Sequence, residues 1–479
     1  MEHKTVVQVT NLHGRLLSTD EELLNIIHKS LRFRPPNFWH NAAYKRKKWD
    51  GWKEFFDLKS GRFLAGLLPE VLTALITLKK PYTLVDERTK INWKHPVIDD
   101  QFLNNYLPPG KDPITLHDFQ PELANLCFKH NRGIVQAPTG AGKTFILISL
   151  LKSLPPKTPT LFLTKNAQLV HQNWQEMNDW GVENLGRWYD KYKEPNYVIC
   201  ATAHQDTLES LAPLLPKFKV LLVDEVHDCV SDVPLKAYRK MSNTTARVGF
   251  SATPFKWDKK KVNNVHKYTV KGHFGAVFEP DGGLLTTKKL QDRGILSSSD
   301  CFIYKVRYPD LAYEPYQEAV RLGIEQNFQF HNMVKKISDK CPGRTLIVVE
   351  RIAQGQYLEQ LIPGSKFIQG EDSLKVREPI IDALKKGDRS IAIVMKQIIT
   401  AGINVKIHDL INASGGEGAH NVIQLMGRGL RTANDKSELR YHDFLFLMND
   451  YLKGHSEWRI EVLKKEGHNV KILESIDDV

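Results

Sequence analysis

The side chains best suited to chemistry lie between a β-rich run, GIVQA, and an apolar helical run, FILISLLKSL. Two glycines in the joining stretch PTGAGKT, Gly140 and Gly142, permit a tight path that turns backbone N–H groups inward. The stretch leads onto a helix N-terminus, where unpaired N–H groups and the helix dipole favour an anion. Lys143 would reach the β- and γ-phosphates of a nucleotide, and Thr144 would hold Mg²⁺.

This stretch is therefore a candidate ATP-binding loop. It comprises Ala137, Pro138, Thr139, Gly140, Ala141, Gly142, Lys143 and Thr144. Ala137 replaces the usual first glycine, which leaves the loop geometry plausible. Upstream, the amide of Gln120 in LHDFQ could donate and accept at once, which matches the edge of adenine. The alternative for Gln120 is an ordinary polar residue at the surface.

A second candidate is the acidic pair in KVLLVDEVHD, which follows an apolar strand. Ligands of open α/β sheets bind at the carboxyl ends of strands. Asp224 would hold Mg²⁺, and Glu225 would orient and deprotonate the water that attacks the γ-phosphate. A solvated acidic turn is the alternative, which the phosphate loop makes less attractive. His227 is a poor metal ligand because no second His or Cys stands at ligand spacing.

A third candidate is the run VIQLMGRGLRT, which places Gln424, Arg428 and Arg431 on one side of a helix. An ordinary amphipathic helix would show the same pattern. The α/β series that contains this run has no phosphate loop, and ATP hydrolysis between two lobes needs guanidinium groups from the opposite side. Such groups can raise the rate by about 10³ to 10⁵. Closure around ATP and reopening would then produce a mechanical stroke.

The elements that must position these residues form two successive series of short apolar runs. Each run is followed by a polar or Gly-rich turn, as in buried parallel strands of doubly wound sheets. The first series includes PTLFLT, YVICAT and ARVGFSAT, and the second includes RTLIVVE and SIAIVM. A Pro-rich stretch, NNYLPPGKDP, separates the first series from an N-terminal region. We expect three domains: an accessory DNA-binding domain at 1–110, and lobes at 111–297 and 298–479.

Composition limits the function classes. The chain of 479 residues has 67 Lys and Arg against 55 Asp and Glu, a net charge of +12 that favours a polyanionic partner. Its five cysteines are scattered, which argues against a zinc site or disulfide framework. The N-terminus lacks the apolar segment of a signal peptide, and no apolar run could span a bilayer. We therefore expect a cytoplasmic protein that does not contact membranes.

The motifs LHDFQ, APTGAGKT, TLFLTKNAQLVHQNW, ATAHQ, VDEVH, FSATP, TLIVVER and QLMGRGLR, in this order, resemble those of superfamily 2 helicases with a DExH box. The resemblance covers about residues 114–435. Residues 43–68 are similar to the accessory domain of UvsW-type phage helicases, and residues 271–296 resemble a segment of the UvsW-type and XPB-like groups. The resemblance implies two tandem RecA-like lobes of the P-loop NTPase kind, a small N-terminal α+β domain, and ATP and Mg²⁺ as cofactors.

The resemblance also implies roles for individual residues. Gln120 would read adenine, and Gly402 would belong to the nucleotide site. His227, Ser251 and Thr253 would couple the ATP state to nucleic acid, and Gln424, Arg428 and Arg431 would act as opposing sensors and fingers. The residues expected to touch the sugar–phosphate backbone are Thr164, Lys165, Asn166, Thr202, His204, Arg351 and Thr400, with Gly402 beside them. Asn404 stands where many members have Asp, which puts a metal or ribose role there in doubt.

The stretch YKRKKWDGWKEFFD raises a separate question, because four basic residues precede two tryptophans. Trp49 and Phe55 are expected to anchor the accessory domain's core. The residues before them would form an exposed ridge on the DNA backbone, with an aromatic ring available to an unpaired base. That ridge comprises Tyr44, Lys45, Arg46, Lys47 and Lys48. A solvated charge run is the alternative.

The function expected from these features is a monomeric, ATP-dependent DNA helicase or translocase, without an obligate protein partner. It would remodel forks, D-loops and Holliday junctions in recombination, repair and replication, in the host cytoplasm if the chain is of phage origin. The alternatives are an RNA helicase, a nucleic-acid-dependent ATPase switch, and the motor half of a restriction enzyme. The last would need a nuclease, and the flanks contain no convincing PD...(D/E)xK cluster.

Overall fold

A computed structural model describes the chain except for residues 1–4, 259–260, 370–378, 381, 384–389, 397–406, 417–421, 424, 428–429, 431–437 and 479. The chain divides into two compact units. The first contains residues 1–137 and 142–285, and the second contains residues 138–141 and 286–479. The expected domain boundaries near 110 and 297 stay predictions.

The N-terminal part of the first unit is a small α+β domain. Its strands are β1 (Val6–Val9), β2 (His13–Leu17), β3 (Arg32–Phe33), β4 (Lys53–Glu54), β5 (Arg62–Leu64) and β6 (Thr83–Asp86), and its helices are α1 (Glu21–Ser30), α2 (Ala42–Lys45) and α3 (Leu68–Thr77). Four strands form a sheet in the order β5-β2-β1-β6. Alternation along the strands buries Val7, Val9 and Leu16 and turns Arg15 toward solvent. This region has the small α+β fold expected for the N-terminal part of the chain, and its role as an accessory DNA-binding domain stays a prediction. We refer to it as the accessory domain.

The rest of the first unit is a doubly wound domain, which we call lobe one. Its strands are β7 (Arg132–Gln136), β8 (Thr160–Thr164), β9 (Leu185–Tyr189), β10 (Tyr192–Lys193), β11 (Val198–Thr202), β12 (Val220–Asp224), β13 (Ala246–Ser251), β14 (Trp257–Asp258), β15 (Lys261–Val262) and β16 (Val277–Phe278). Eight of them form a sheet in the order β10-β9-β11-β8-β12-β13-β7-β16. Its helices are α4 (Phe119–His130), α5 (Lys143–Lys152), α6 (Ala167–Asp179), α7 (Gln205–Ser210), α8 (Asp232–Lys240) and α9 (Asn264–Phe274).

Burial and capping explain why these segments adopt their structures. Every residue of β8, β11 and β13 is buried, as expected for central parallel strands that are covered on both faces. Several helices begin at an asparagine whose side chain accepts a hydrogen bond from the backbone N–H three residues later. This bond satisfies one of the N–H donors that a helix leaves unpaired at its N-terminus. Asn166 caps α6 in this way, Asn263 caps α9, and Asn327 caps a helix of the second unit.

The second unit is built around a parallel sheet, and we call it lobe two. Its strands are β17 (Ser298–Val306), β18 (Thr345–Val349), β19 (Lys366–Ile368), β20 (Ile391–Met395), β21 (Asp409–Asn412), β22 (Glu438–Phe446) and β23 (Asn469–Leu473), in the order β19-β20-β18-β21-β22-β17-β23. Its described helices include α10 (Thr287–Asp292), α11 (Tyr316–Val320), α12 (Phe328–Lys340), α13 (Ile352–Leu361) and α14 (Asp450–Lys465). The predicted fold class, two tandem α/β lobes after a small α+β domain, is confirmed.

A buried ion pair joins α14 to the sheet of lobe two. The Arg459 guanidinium donates from Nε to Asp443 Oδ2 and from Nη2 to Asp443 Oδ1, both at 2.9 Å, and both side chains are 2% exposed. Arg459 Nη1 also donates to the carbonyl oxygen of Gly416 at 2.6 Å. Asn412 donates to Asp443 Oδ2 at 3.2 Å. The pair therefore fixes the helix, β22 and the segment after β21 together.

Among the helices in the described ranges, none has the combination of length and apolar composition that crossing a bilayer would require.

We expect Asp443→Ala to destabilise lobe two by roughly 3–5 kcal/mol, because the buried Arg459 guanidinium would lose its counter-charge. Urea unfolding of the full chain measures the shift of the transition that belongs to lobe two. The control is Glu457→Ala, which removes only an exposed pair, since Lys453 Nζ lies 3.9 Å from Glu457 Oε1. The control should change stability by about 0.5 kcal/mol or less. Equal losses in the two variants would show that the buried pair has no special role.

Candidate functional site

Three neighbouring strands of lobe one end at the same level and carry the predicted chemistry. Strand β13 lies between β7 and β12 in the sheet. Phe250 pairs with Asp224 on one side, and Ser251 pairs with Gln136 on the other. The N–H of Ala137 donates to the carbonyl oxygen of Ser251 at 3.2 Å. The phosphate loop, the acidic pair and the FSATP motif therefore converge because parallel strands present their carboxyl ends at one edge.

The loop after β7 has the backbone of a phosphate-binding loop. Gly140 has φ of 89° and Gly142 has φ of 76°, which is the left-handed region that other residues adopt only at a cost. Helix α5 begins at Lys143, whose ammonium donates to the Ala137 carbonyl oxygen at 3.1 Å. That hydrogen bond holds the Lys143 side chain across the loop. An anion at the N-terminus of α5 would meet this ammonium and the first N–H groups of the helix.

Gln120 lies against this loop. Its side-chain oxygen accepts the N–H of His117 at 2.9 Å, and the residue is 3% exposed. A Cβ added at Gly142 would lie 2.3 Å from Gln120 Nε2, so the amide packs directly against the backbone of the loop. The alternative that Gln120 is an ordinary surface residue is therefore wrong, because its amide is buried against the loop. Its role in reading adenine stays a prediction.

The hydroxyl of Ser251 joins the residues of the acidic motif. Ser251 Oγ lies 2.8 Å from His227 Nδ1 and 3.3 Å from Glu225 Oε2. The same oxygen accepts the N–H of Thr253 at 3.0 Å. Glu225 has φ of 46°, a conformation that a non-glycine residue adopts at some cost and that here directs the chain from β12 into a 3-10 turn. The hydroxyl of Ser251, itself an expected coupling residue, thus connects the expected catalytic base with the other two, His227 and Thr253.

His227 is held neutral by its surroundings. Burial lowers the pKa of His227 to about 4, and the residue is 2% exposed. Its Nε2 lies 3.7 Å from Asp228 Oδ2, and its carbonyl oxygen is 2.8 Å from His266 Nε2. A neutral imidazole has one donor and one acceptor nitrogen, so it can link Ser251 to the neighbouring carboxylates without adding charge.

Sequence analysis missed the role of Asp228. Its carboxylate accepts from Lys165 Nζ at 2.9 Å and lies 3.1 Å from Lys256 Nζ. Burial alone would raise the pKa of Asp228, but His227 and the two ammonium groups hold it below its ordinary value. The sequence contained a signal for this contact, because Lys165 lies within the motif TLFLTKNAQLVHQNW and Lys256 lies shortly after the motif FSATP. Only the fold shows that one carboxylate binds both.

The expected Mg²⁺ ligands are both oxygen donors. Thr144 lies in the first turn of α5, and Asp224 is the last residue of β12. Both are partly buried at the edge where the three strands end. A hydroxyl and a carboxylate are the hard ligands that Mg²⁺ prefers, usually together with phosphate oxygens and water. The residues therefore suit a magnesium nucleotide.

The residues of lobe one that were expected to contact nucleic acid fall into two groups. Lys165 and His204 are exposed, and Asn166 is partly exposed at the cap of α6. Thr164 and Thr202 are buried, with their hydroxyls bonded to the Asn166 carbonyl oxygen at 3.1 Å and to Thr207 Oγ1 at 2.8 Å. The expectation for these two threonines is therefore corrected. Their side chains point into the lobe at central strand ends and support the loops that carry the exposed residues.

In lobe two, the structure describes one of the expected site residues. Arg351 is exposed, and its Nε donates to Glu325 Oε1 at 2.8 Å. The other predictions for this lobe lie outside the described residues. They are Thr400, Gly402, Asn404, Gln424, Arg428 and Arg431.

The basic stretch of the accessory domain is at the surface. Lys45, Arg46, Lys47 and Lys48 are exposed, and in the described part of the chain none of them pairs with a carboxylate. Tyr44 packs edge-on against the Phe38 ring, with centroids 4.9 Å apart.

The two core predictions for this stretch have different outcomes. Phe55 is buried in the accessory core, whereas Trp49 is only partly buried. Sequence analysis missed a nearby stack, in which the guanidinium carbons of Arg32 and Arg34 lie 4.5 and 4.7 Å from the centre of the Trp52 ring. This cation–π arrangement fixes a cationic surface beside the basic stretch. The run LRFRPP could have indicated it.

Comparison with known proteins agrees with this geometry. Residues 113–256 match the family described as "Type III restriction enzyme, res subunit". The DNA 3'-5' translocase XPB2 of Sulfurisphaera tokodaii is 26% identical over 404 residues, which are 75% of this chain and 86% of that protein. These matches support the predicted resemblance to superfamily 2 helicases. The helicase is accordingly an ATP-hydrolysing enzyme that depends on nucleic acid, and this part of the prediction is confirmed.

Solved structures share the fold of the helicase. The ATP-dependent Type ISP restriction-modification enzyme LlaBIII bound to DNA aligns at a TM-score of 0.56 and 13% identity, over 85% of this chain and 34% of that chain. The crystal structure of T4 UvsW aligns over 98% of this chain and 99% of that chain, at a TM-score of 0.49 and 17% identity. At these identities the likeness shows the fold alone, and the UvsW superposition is too loose to carry an argument.

We expect acidification to destabilise the helicase partly through His227. Its pKa is about 4 in the folded chain and near 6.5 when unfolded, so the unfolded state binds more protons between these values. Stability is retained above pH 6.5 and falls as the pH approaches 4, by about 2 kcal/mol between pH 7 and pH 5. In His227→Gln this part of the loss should disappear, which urea unfolding at both pH values measures. The exposed control His204→Gln should lose as much as the wild type, and an identical loss in His227→Gln would contradict the assignment.

Proposed function

We propose that the chain is an ATP-dependent DNA helicase or translocase that acts on branched DNA, such as forks, D-loops and Holliday junctions, in recombination, repair and replication. The observation that carries the proposal is the Ser251 hydroxyl, which touches both Glu225 and His227 and accepts the Thr253 N–H. These hydrogen bonds connect Glu225, which would act on the attacking water, to Thr253 in the segment that follows β13. XPB2, named as a DNA 3'-5' translocase, supports DNA as the partner.

In this proposal, the phosphate loop and the acidic strand end divide the chemistry. Lys143 holds the β- and γ-phosphates, and Thr144 and Asp224 hold Mg²⁺, which neutralises phosphate charge. Glu225 orients and deprotonates the attacking water. Gln120 reads adenine from beside the loop. In lobe two, Gln424, Arg428 and Arg431 sense the γ-phosphate and stabilise its developing charge.

Coupling to DNA uses the charged contacts around Asp228. Loss of the γ-phosphate changes the charge that Glu225 faces, and the Ser251 hydroxyl and His227 transmit the change to Asp228. Asp228 binds Lys165 Nζ at 2.9 Å, and Lys165 is exposed on the loop that would contact the DNA backbone. A shift in this ion pair alters the position of a phosphate-binding ammonium. His204, Asn166, Arg351 and Thr400 would contribute further backbone contacts.

The accessory domain would supply the preference for branches. Four exposed cations at residues 45–48 are unpaired in the described part of the chain, and the stack of Arg32 and Arg34 on Trp52 adds a cationic surface nearby. Phosphates of the DNA that do not contact the two lobes would bind there.

We propose that the protein acts as a monomer without an obligate protein partner.

The first test compares ATP hydrolysis with single-stranded, forked and four-way DNA and with RNA. We expect low hydrolysis without nucleic acid and the largest stimulation with branched DNA, because the accessory contacts are used only there. Lys143→Ala should abolish hydrolysis and strand separation, since it removes the ammonium that holds the phosphates. Strong stimulation by RNA alone would indicate an RNA helicase. Strand separation by Lys143→Ala would contradict the proposal that ATP hydrolysis drives strand separation.

The second test replaces Lys45, Arg46, Lys47 and Lys48 with alanine. Affinity for forked DNA should fall and depend less steeply on salt, by about 0.9 in the slope of log K against log salt for each lost phosphate contact. Hydrolysis without DNA should not change. The matched control removes four exposed lysines elsewhere in the first unit, Lys79, Lys217, Lys219 and Lys240. If both variants bind DNA equally well, the basic stretch is only a solvated surface.

A further inference from the structure

A group of cationic residues lies where the accessory domain meets lobe one. We call it the seam cluster, and it comprises His13, Arg62, Arg132, Arg239, Arg247 and His273. His13 lies in β2 and Arg62 in β5, and the other four belong to lobe one. Arg132 and Arg247 are directly opposite each other in the paired strands β7 and β13. They lie at the starts of these strands, at the end of the sheet opposite the phosphate loop.

Arg132 contributes to the contact between the accessory domain and lobe one. Its Nη1 donates to the carbonyl oxygen of His273 at 2.7 Å, and its Nη2 donates to the carbonyl oxygen of Asn11. Asn11 lies in the turn between β1 and β2, and His273 lies near the end of α9. Both acceptors are neutral carbonyls. Arg132 is 9% exposed, and neither of these hydrogen bonds provides its guanidinium with a counter-charge.

Arg247 is fully buried and is also without a counter-charge. Its Nη2 donates to the carbonyl oxygens of Tyr238 and Met241 at 3.1 and 2.8 Å. Its Nε and Nη1 have no hydrogen-bond partner, and neither has Nδ1 of the buried His273. Burial lowers the pKa of Arg247 to about 10, so the group remains charged at neutral pH. A buried charge with unused donors is costly unless an anion approaches it.

The exposed members extend the positive charge to the surface. Arg62 and Arg239 are exposed, and Arg62 pairs directly across β2 and β5 with Arg15. Like charges opposite each other destabilise a sheet. Burial lowers the pKa of His13, and the charges of Arg62, Arg247 and Arg239 lower it further. Within the described ranges, no member of the seam cluster forms an ion pair with a carboxylate.

We infer that Arg62 and Arg239, the exposed members of the seam cluster, bind phosphate groups of the DNA backbone, and that the buried Arg132 and Arg247 add positive charge beneath them. This surface would be a further DNA contact of the first unit, distinct from residues 44–48 and from the strand-end contacts at Lys165. Guanidinium groups offer paired N–H donors that match the oxygens of a phosphodiester, so an arginine-rich group suits phosphate better than a point charge does. The net charge of +12 favours the same kind of partner. The inference rests on the proposed function, since it requires that the chain binds DNA. It adds a contact for an arm of a branched substrate at the sheet edge remote from ATP.

The test uses the exposed members, whose replacement leaves the core intact. In the full chain, Arg62→Gln with Arg239→Gln should lower the slope of log K against log salt for forked DNA by about 1.8, which is 0.9 for each lost phosphate contact. Hydrolysis without DNA should stay at the wild-type level. The matched control is Lys336→Gln with Lys464→Gln, which removes two exposed charges from lobe two. The control should keep the wild-type slope.

Three outcomes would contradict one of the two proposals, and they can be told apart. If the wild type binds no DNA, the proposed function fails. If the wild type binds DNA but the seam variant keeps its slope, or the control loses as much, the seam cluster does not contact DNA. A third arm measures the melting temperature with inorganic phosphate. Stabilisation of the wild type but not of the seam variant, with an unchanged DNA slope, would indicate a site for a free anion and would overturn the DNA assignment.

Discussion

The functional part of lobe one depends on the position of β13 between β7 and β12. Because the three strands are parallel and in register, the residues that follow them meet at one edge of the sheet. Ser251, the last residue of β13, can therefore bond to the phosphate loop through its carbonyl oxygen and to the acidic motif through its hydroxyl. A shift of one residue in this pairing would move the hydroxyl to the other face of the sheet and break the hydrogen bonds of Ser251 to the phosphate loop and to the acidic motif.

Charge is distributed differently at the two ends of this sheet. At the carboxyl end, Asp228 is balanced by Lys165 and Lys256, and His227 is kept neutral by burial. At the amino end, Arg132 and Arg247 are buried against carbonyl groups only. The carboxyl end is thus a balanced network that a nucleotide could rearrange. The amino end retains an unbalanced positive charge, which is the physical basis for placing a second polyanion contact there.

Local sequence was sufficient to predict a feature where one continuous segment contains the whole pattern. The phosphate loop is a continuous segment whose glycines require positive φ, and its strand and helix flank it directly. The two lobes follow from strands that are apolar on both faces. Prediction failed where burial depends on distant segments. Thr164 and Thr202 were expected to contact nucleic acid, but both lie in central strands and are buried. For Gln120, the sequence left a surface position open beside the adenine role, and only the packing of α4 against the loop shows that the residue is buried.

By itself, the sequence determined the fold class, the phosphate loop and the acidic strand end, because each is encoded by contiguous residues with a required conformation or spacing. Only the tertiary structure decided which side chains share a hydrogen bond or a charge. Asp228 with Lys165 and Lys256, the Arg–Trp stack, and the opposed Arg132 and Arg247 all join residues from separate elements. Electrostatic interactions depend on distance in space and on burial, and neither quantity can be read from positions along the chain.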